Sequence, residues 1–274
     1  MNLRVGRIPF LVCAPFFHLF LNDEARFEGY SFDDGAPSAL NQKLWTGEIH
    51  LAPASSIAYA RAPQDLVLAP DLCTSCKLEV NSVELFSRYP LNELSGKRIY
   101  MTSQSGTSVA LLRVICSQYA NVRPEYVTER ADCDAALLIG DEALIEKAKG
   151  SWPYCYDMAL LWRDWHGLPF VFGAWSIHRL ALSGEMRPRL EAFLENVRES
   201  IAKFRACPQK ALKKWAERYP VPFTAEELKG YYDSLDYEFT DERKKSLQLY
   251  FNLCVKEEIL SESPTLRSDK GEKQ

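Results

Sequence analysis

A strand-like run and a helix-like run meet head to tail in the middle of this chain, across a turn rich in hydroxyls. Lys97-Arg98-Ile99-Tyr100-Met101 reads as a strand and Val109-Ala110-Leu111-Leu112-Arg113-Val114-Ile115 as a helix. Between them lies Thr102-Ser103-Gln104-Ser105-Gly106-Thr107-Ser108. A strand feeding a helix through a short turn is the unit of α/β folds. The first helical turn leaves backbone N–H groups free and carries the positive end of the helix dipole. Small hydroxyl side chains there can cap the helix or reach a ligand oxygen. Together they suit a carboxylate or phosphate. Ser103, Ser105, Thr107 and Ser108 are therefore candidate ligand contacts, with plain helix capping as the alternative.

The junction is one of several. Leu3–Ile8 reads as a first strand, Pro37–Trp45 as a helix ended by Gly47, and Glu48–Ala52 as a buried strand turning through Pro53-Ala54-Ser55-Ser56 into a helix. Val83–Ser87 is a further strand. Ala135–Ile139 is an apolar strand ending in Gly140-Asp141. Pro169–Ser176 is a long apolar run. Beyond it the pattern is helical over 187–204, 209–218, 224–235 and 240–259, with Thr224-Ala225-Glu226-Glu227 as a capping box. Residues 261–274 are polar and read as a disordered tail.

This alternation predicts two α/β lobes joined by a hinge, with a cleft between them and a helical C-terminal region. Lobe 1 is expected to comprise 1–88 and 171–260, and lobe 2 to comprise 89–170. Ligands of such sheets bind beyond the carboxyl ends of strands. That places Arg7, Ser55, Gly140 and Asp141 beside the hydroxyl turn. Arg7 can meet a substrate carboxylate, or be solvated or bridge the lobes. Asp141 can bind a hydroxyl or, the favoured reading, serve as the N-cap of the following helix.

The 274 residues carry a net charge of −4, which gives no footprint for nucleic acid. Any anion site must then be built locally. The eight cysteines are scattered through apolar segments. Cys73 and Cys76 form a CxxC without a second ligand pair, so packing thiols are expected rather than a metal site. His18, His50, His166 and His178 match no metal spacing and are read as structural. The aromatic residues Trp162, Trp165, Phe170, Phe172 and Trp175 are assigned to core and hinge. Arg4 and Arg7 before an apolar stretch mimic a signal peptide, but Pro9 and Pro15 interrupt it. A cytoplasmic protein without a membrane span is expected.

Several strings together resemble the chorismate dehydratases of the futalosine route to menaquinone. They are Val5-Gly6-Arg7-Ile8-Pro9-Phe10-Leu11-Val12-Cys13-Ala14-Pro15, Pro53–Arg61, Thr102–Val109, Leu137–Leu144 and Gly167–Trp175, in order over residues 3 to about 180. The resemblance implies a periplasmic-binding-protein type 2 fold used for catalysis. It also implies loss of water from chorismate to give 3-[(1-carboxyvinyl)oxy]benzoate, with no metal or organic cofactor. The catalytic Ser of the family matches Ser82, and its catalytic Asn falls at Val12. A catalytically impaired homologue that binds an aromatic or dicarboxylic acid is the alternative. A sister enzyme of this fold, 1,4-dihydroxy-6-naphthoate synthase, carries a His base where Gly140 stands, which argues against that activity.

Overall fold

The computed structural model describes residues 2–22, 28–224 and 226–269. Two sheets organise the chain. The first lobe is built on β1 (Leu3–Arg7), β2 (Tyr30–Asp34), β3 (Leu51–Ser55), β4 (Leu66–Cys76), β10 (Val171–His178) and β11 (Leu235–Glu238), in the order β11-β4-β10-β3-β1-β2. The second is built on β5 (Val83–Ser87), β6 (Arg98–Met101), β7 (Glu125–Val127), β8 (Ala135–Ile139) and β9 (Tyr154–Asp157), in the order β7-β6-β8-β5-β9. Lobe 1 carries α1 (Ala14–Asn22), α2 (Pro37–Trp45) and α3 (Ser56–Arg61). Lobe 2 carries α4 (Gly106–Val114), α5 (Gly140–Lys149) and α6 (Met158–His166). The C-terminal region adds α7 (Met186–Ala206), α8 (Pro208–Arg218), α9 (Lys229–Ser234) and α10 (Asp241–Lys256).

Strand directions decide what meets between the lobes. β1, β2 and β3 run parallel, while β10 is antiparallel to both β3 and β4. The carboxyl ends of β1, β3 and β4 and the start of β10 therefore share one edge. In lobe 2, β6 and β8 run parallel and β5 runs against β8, so the start of β5 lies beside the end of β8. These two edges face each other.

Three expectations need correction. β5 pairs with β8 and β9, so the first crossing between lobes falls at residues 77–82 and not near residue 88. β4 and β11 escaped notice as strands: Pro70 and Asp71 interrupt the apolar pattern of β4, and β11 follows α9 without a break. Residues 261–269 do not fray. Tyr59 Oη donates to the Thr265 carbonyl at 2.7 Å and accepts from Arg267 N–H, while Ser268 pairs with Leu68. Residues 270–274 of the expected tail lie outside the described residues.

The main core lies under the first sheet. Phe16, Phe17, Phe20, Trp175 and Phe193 pack as edge-on, tilted and stacked rings with centroids 5.0–6.4 Å apart. Such pairs stabilise by about 0.5–1.5 kcal/mol each beyond simple area burial. A second aromatic group, Trp162, Phe170 and Tyr250, joins α6 of lobe 2 to α10, with Trp162 Nε1 donating to Ser246 Oγ at 3.0 Å. Thr224 and Glu227 form the reciprocal capping box read from their spacing. Among the described residues no helix is long and apolar enough to cross a membrane, and no cluster of metal-ligating groups occurs.

Candidate active site

The facing edges enclose a narrow cavity of about 80 Å³. Lobe 1 contributes Ile8, Phe10, Val12 and Cys13 after β1, Ser55 at the end of β3, Thr74 near the end of β4, and Phe172 and Gly173 at the start of β10. Lobe 2 and the crossing contribute Val80, Ser82, Val83, Ser105, Ser108, Ile139 and Gly140. The walls are apolar apart from hydroxyls. Cys13 is the one ionisable side chain among the lining residues, and burial, helped by the nearby Asp141 charge, pushes its thiol well above the usual range. Among the described residues lining the cavity there is no lysine, arginine, histidine or carboxylate.

The hydroxyls are held in different ways. Ser105 is the N-cap of α4: its Oγ accepts from Ser108 N–H at 3.2 Å and lies 3.0 Å from Ser108 Oγ. Both line the cavity. Ser55 Oγ accepts from Asn41 Nδ2 at 2.9 Å, which leaves its own proton for the cleft. The Thr74 hydroxyl lines the cavity with no partner among the described residues; its place inside an unrecognised strand hid it from sequence reasoning.

Ser82 sits on the crossing, 3% exposed, and its surroundings are the most heavily braced. Its carbonyl accepts from Gly140 N–H at 2.7 Å. Asp157 accepts from Val80 and Asn81 N–H with Oδ2 at 2.9 and 2.7 Å, and from Ala159 and Leu160 N–H with Oδ1. One buried carboxylate therefore caps α6 and grips the two residues before Ser82. Asn81 takes the left-handed φ of 58°, which Asn tolerates, and turns its side chain outward to Lys147. Tyr231 Oη, from α9, donates to Ser82 Oγ at 3.1 Å. Tyr232 and Tyr237 donate to the carbonyls of Leu11 and Val12 at 2.9 and 3.0 Å. These tyrosines fix both the crossing and the loop after β1. Sequence reasoning missed them because their partners lie more than 140 residues away.

Four predicted contacts do not face the cavity. Arg7 is buried against lobe 1, donating to both carboxylate oxygens of Asp34 at 2.6 and 3.2 Å and stacking on Phe32. Burial pushes the Asp34 carboxyl up, but the Arg7 and Tyr219 hydrogen bonds outweigh it and hold the group below its usual range. Parallel pairing of Arg7 with Asp34 across β1 and β2 consumes the guanidinium. Ser103 is exposed on the outer side of the turn. Thr107 Oγ1 accepts from Ile57 N–H at 3.0 Å, so it latches α4 to α3 of the other lobe. Asp141 is not the N-cap of α5 but sits in its first turn, accepting from Leu11 N–H of the other lobe at 3.0 Å. Burial lifts its carboxyl to about 6 against that hydrogen bond. Thr107 and Asp141 thus close the cleft at two points.

Gly140 has φ 61°, and a Cβ there would come 3.1 Å from Phe10 Cδ2. Glycine takes this backbone conformation without strain and leaves room for so close an approach of the two lobes. A His at this position would meet the Phe10 ring.

A family model described as menaquinone biosynthesis matches residues 3–256. A chorismate dehydratase of Thermus thermophilus is 29% identical over 213 residues, 70% of this chain and 75% of that protein. Three solved structures show the same architecture at low identity. A protein from Archaeoglobus fulgidus superposes with a TM-score of 0.73 at 19% identity, covering 94% of this chain and 98% of that one. The alkanesulfonate-binding protein of Xanthomonas axonopodis pv. citri, bound to MOPS, gives 0.71 at 14%, covering 97% and 96%. The periplasmic aliphatic sulphonate binding protein of Escherichia coli gives 0.67 at 16%, covering 98% and 96%. The two lobes and their cleft therefore have the periplasmic-binding-protein fold.

Proposed function

The chain belongs to the menaquinone biosynthesis family, and on that premise we propose that it is a chorismate dehydratase, a carbon–oxygen hydro-lyase. The observation that carries the reading is a cleft walled by apolar groups and neutral hydroxyl donors, closed by both lobes. Chorismate is a dicarboxylate with an apolar ring, an enolpyruvyl ether and one ring hydroxyl. The N-terminal turn of α4, with Ser105 and Ser108, would take one carboxylate. Ser55 and Thr74 would take polar groups from the lobe 1 side, and Ser82 would sit at the reacting ring. Ile8, Phe10, Val12 and Phe172 would pack the ring and exclude water.

The reaction asks little acid–base power of the protein. The proton on the ether-bearing carbon is acidified through the ring by its carboxylate. Its removal, with departure of the neighbouring hydroxyl, creates a benzene ring, and aromatisation drives the step. With Cys13 held protonated and no other ionisable group among the described lining residues, the role of base is assigned to a substrate carboxylate. The protein's task is to hold the dianion in the reactive geometry and to assist the leaving hydroxyl. No metal or organic cofactor has a role in these steps. The unpaired cysteines suit a reducing, cytoplasmic setting.

Incubation of the purified protein with chorismate, followed by chromatography and mass spectrometry, tests the reading. The expected product is 3-[(1-carboxyvinyl)oxy]benzoate with release of one water. Chorismate that binds and is recovered unchanged across pH 6–9 would reject the dehydratase and leave a binding protein.

A further inference from the structure

The neutral wall raises the question of how a serine hydroxyl becomes useful, and the hydrogen bonds around Ser82 answer it. We propose that Tyr231 is a positioning residue that acts through Ser82, fixing that hydroxyl as a hydrogen-bond donor to the substrate. The proposal rests on the dehydratase reading for its substrate, and on geometry for the rest.

Tyr231 is buried, 6% exposed, and its phenol donates to Ser82 Oγ at 3.1 Å, its one hydrogen-bond acceptor among the described residues. Burial raises the phenol far above its usual range, so it stays a donor at any working pH. That bond occupies one lone pair of Ser82 Oγ. The serine's own proton is held only by the Val80 carbonyl at 3.3 Å, a long contact two residues back. Rotating the proton into the cleft gives up little, whereas turning the lone pair toward substrate would break the bond to Tyr231. The arrangement therefore favours donation by Ser82 over proton abstraction by it. A hydroxyl that accepts a hydrogen bond is also a stronger donor, because the chain of bonds polarises it.

The two partners are registered to each other by backbone. Lys77 N–H, at the start of the crossing, donates to the Ser234 carbonyl at 2.9 Å, at the end of α9. Ser234 Oγ donates back to the Tyr231 carbonyl at 2.7 Å. Ser55 shows the same device on lobe 1, with Asn41 as the buried donor. In the dehydration, the proton lost from carbon and the departing hydroxyl together form the released water. Ser82 stabilises the leaving oxygen by its hydrogen bond and keeps its proton.

The test is a double-mutant cycle on the full chain with chorismate. Tyr231→Phe keeps the ring and is expected to lower kcat about tenfold, the value of one hydrogen bond, with KM within about twofold. In a Ser82→Ala background the same change is expected to cost nothing further. Wild-type kcat in Tyr231→Phe, or losses that multiply in the double variant, would overturn the proposal. A second readout needs no turnover. With tyrosine labelled at 13Cζ, the Tyr231 hydroxyl of the ligand-free protein is expected to exchange slowly enough to split its signal in mixed H2O and D2O. Ser82→Ala is expected to collapse that splitting. Fast exchange in the wild type, or a splitting unmoved by Ser82→Ala, rejects the Tyr231–Ser82 bond even if chorismate proves inert.

Discussion

The two polar walls of the cleft are made by opposite means. The α4 wall is local: Ser105 caps the helix that carries Ser108, and their hydrogen bonds span three residues. The Ser82 wall is assembled from afar: Asp157 grips the residues before it, and Tyr231 arrives from α9. A local wall needs only a strand, a turn and a helix to form. A remote wall forms only when both lobes and the C-terminal helices are in place, so it reports on the completed fold. Binding is assigned to the first and turnover to the second.

The comparison is most exposed to Ser82→Ala. Turnover should fall roughly 10²–10³-fold, the span of a lost hydrogen-bond donor to charge developing in the transition state, while chorismate affinity measured by calorimetry stays within a few-fold. Equal loss of affinity would make Ser82 a binding residue and merge the two walls. Asp157→Ala comes next. Four N–H groups lose their acceptor, which should cost about 2–4 kcal/mol in denaturant unfolding. It should also depress kcat by loosening Ser82, and a stable variant with full activity would show that Asp157 does not hold the remote wall. Ser105→Ala removes a helix cap worth about 1 kcal/mol and should raise KM more than it lowers kcat. The reverse split would break the division of labour.

The smallest effect is in pH. Burial raises the Asp141 carboxyl to about 6 and, with the Asp157 charge, the Glu84 carboxyl to about 7. Both values lie above the unfolded range, so between about pH 4 and 7 these two carboxyls bind more protons in the folded chain than in the unfolded one, while His50, lowered to about 4 by burial, binds fewer. The stability these two carboxyls contribute should therefore decline as pH rises through that window, against the opposite contribution of His50. Asp141→Asn keeps an oxygen for Leu11 N–H and removes one declining contribution, so its melting temperature relative to wild type should rise with pH between about 4 and 6. An unchanged slope would remove Asp141 as the titrating group at that closure point.

What the sequence made legible follows the same division. The Lys97–Ile115 junction, the apolar run of β8 and the Thr224–Glu227 box are contiguous patterns, and each appears as an element or cap in the fold. β4 was illegible because its middle is polar and prolyl, and with it Thr74 was lost. Arg7 at a strand end looked free because nothing local reveals Asp34, 27 residues on, as its register partner. Residues 261–269 look frayed by composition, yet Tyr59 and Leu68 hold them through backbone groups that composition does not describe.

That the described residues lining the cavity include no lysine or arginine has a kinetic consequence. A dianion approaching a chain of net charge −4 meets overall repulsion, with no cation among the described lining residues to offset it inside the cavity. Capture then rests on dipoles that act only at contact distance. Added salt, which blunts long-range attraction in steered enzymes, here screens repulsion instead, and the on-rate should rise modestly rather than fall as ionic strength rises.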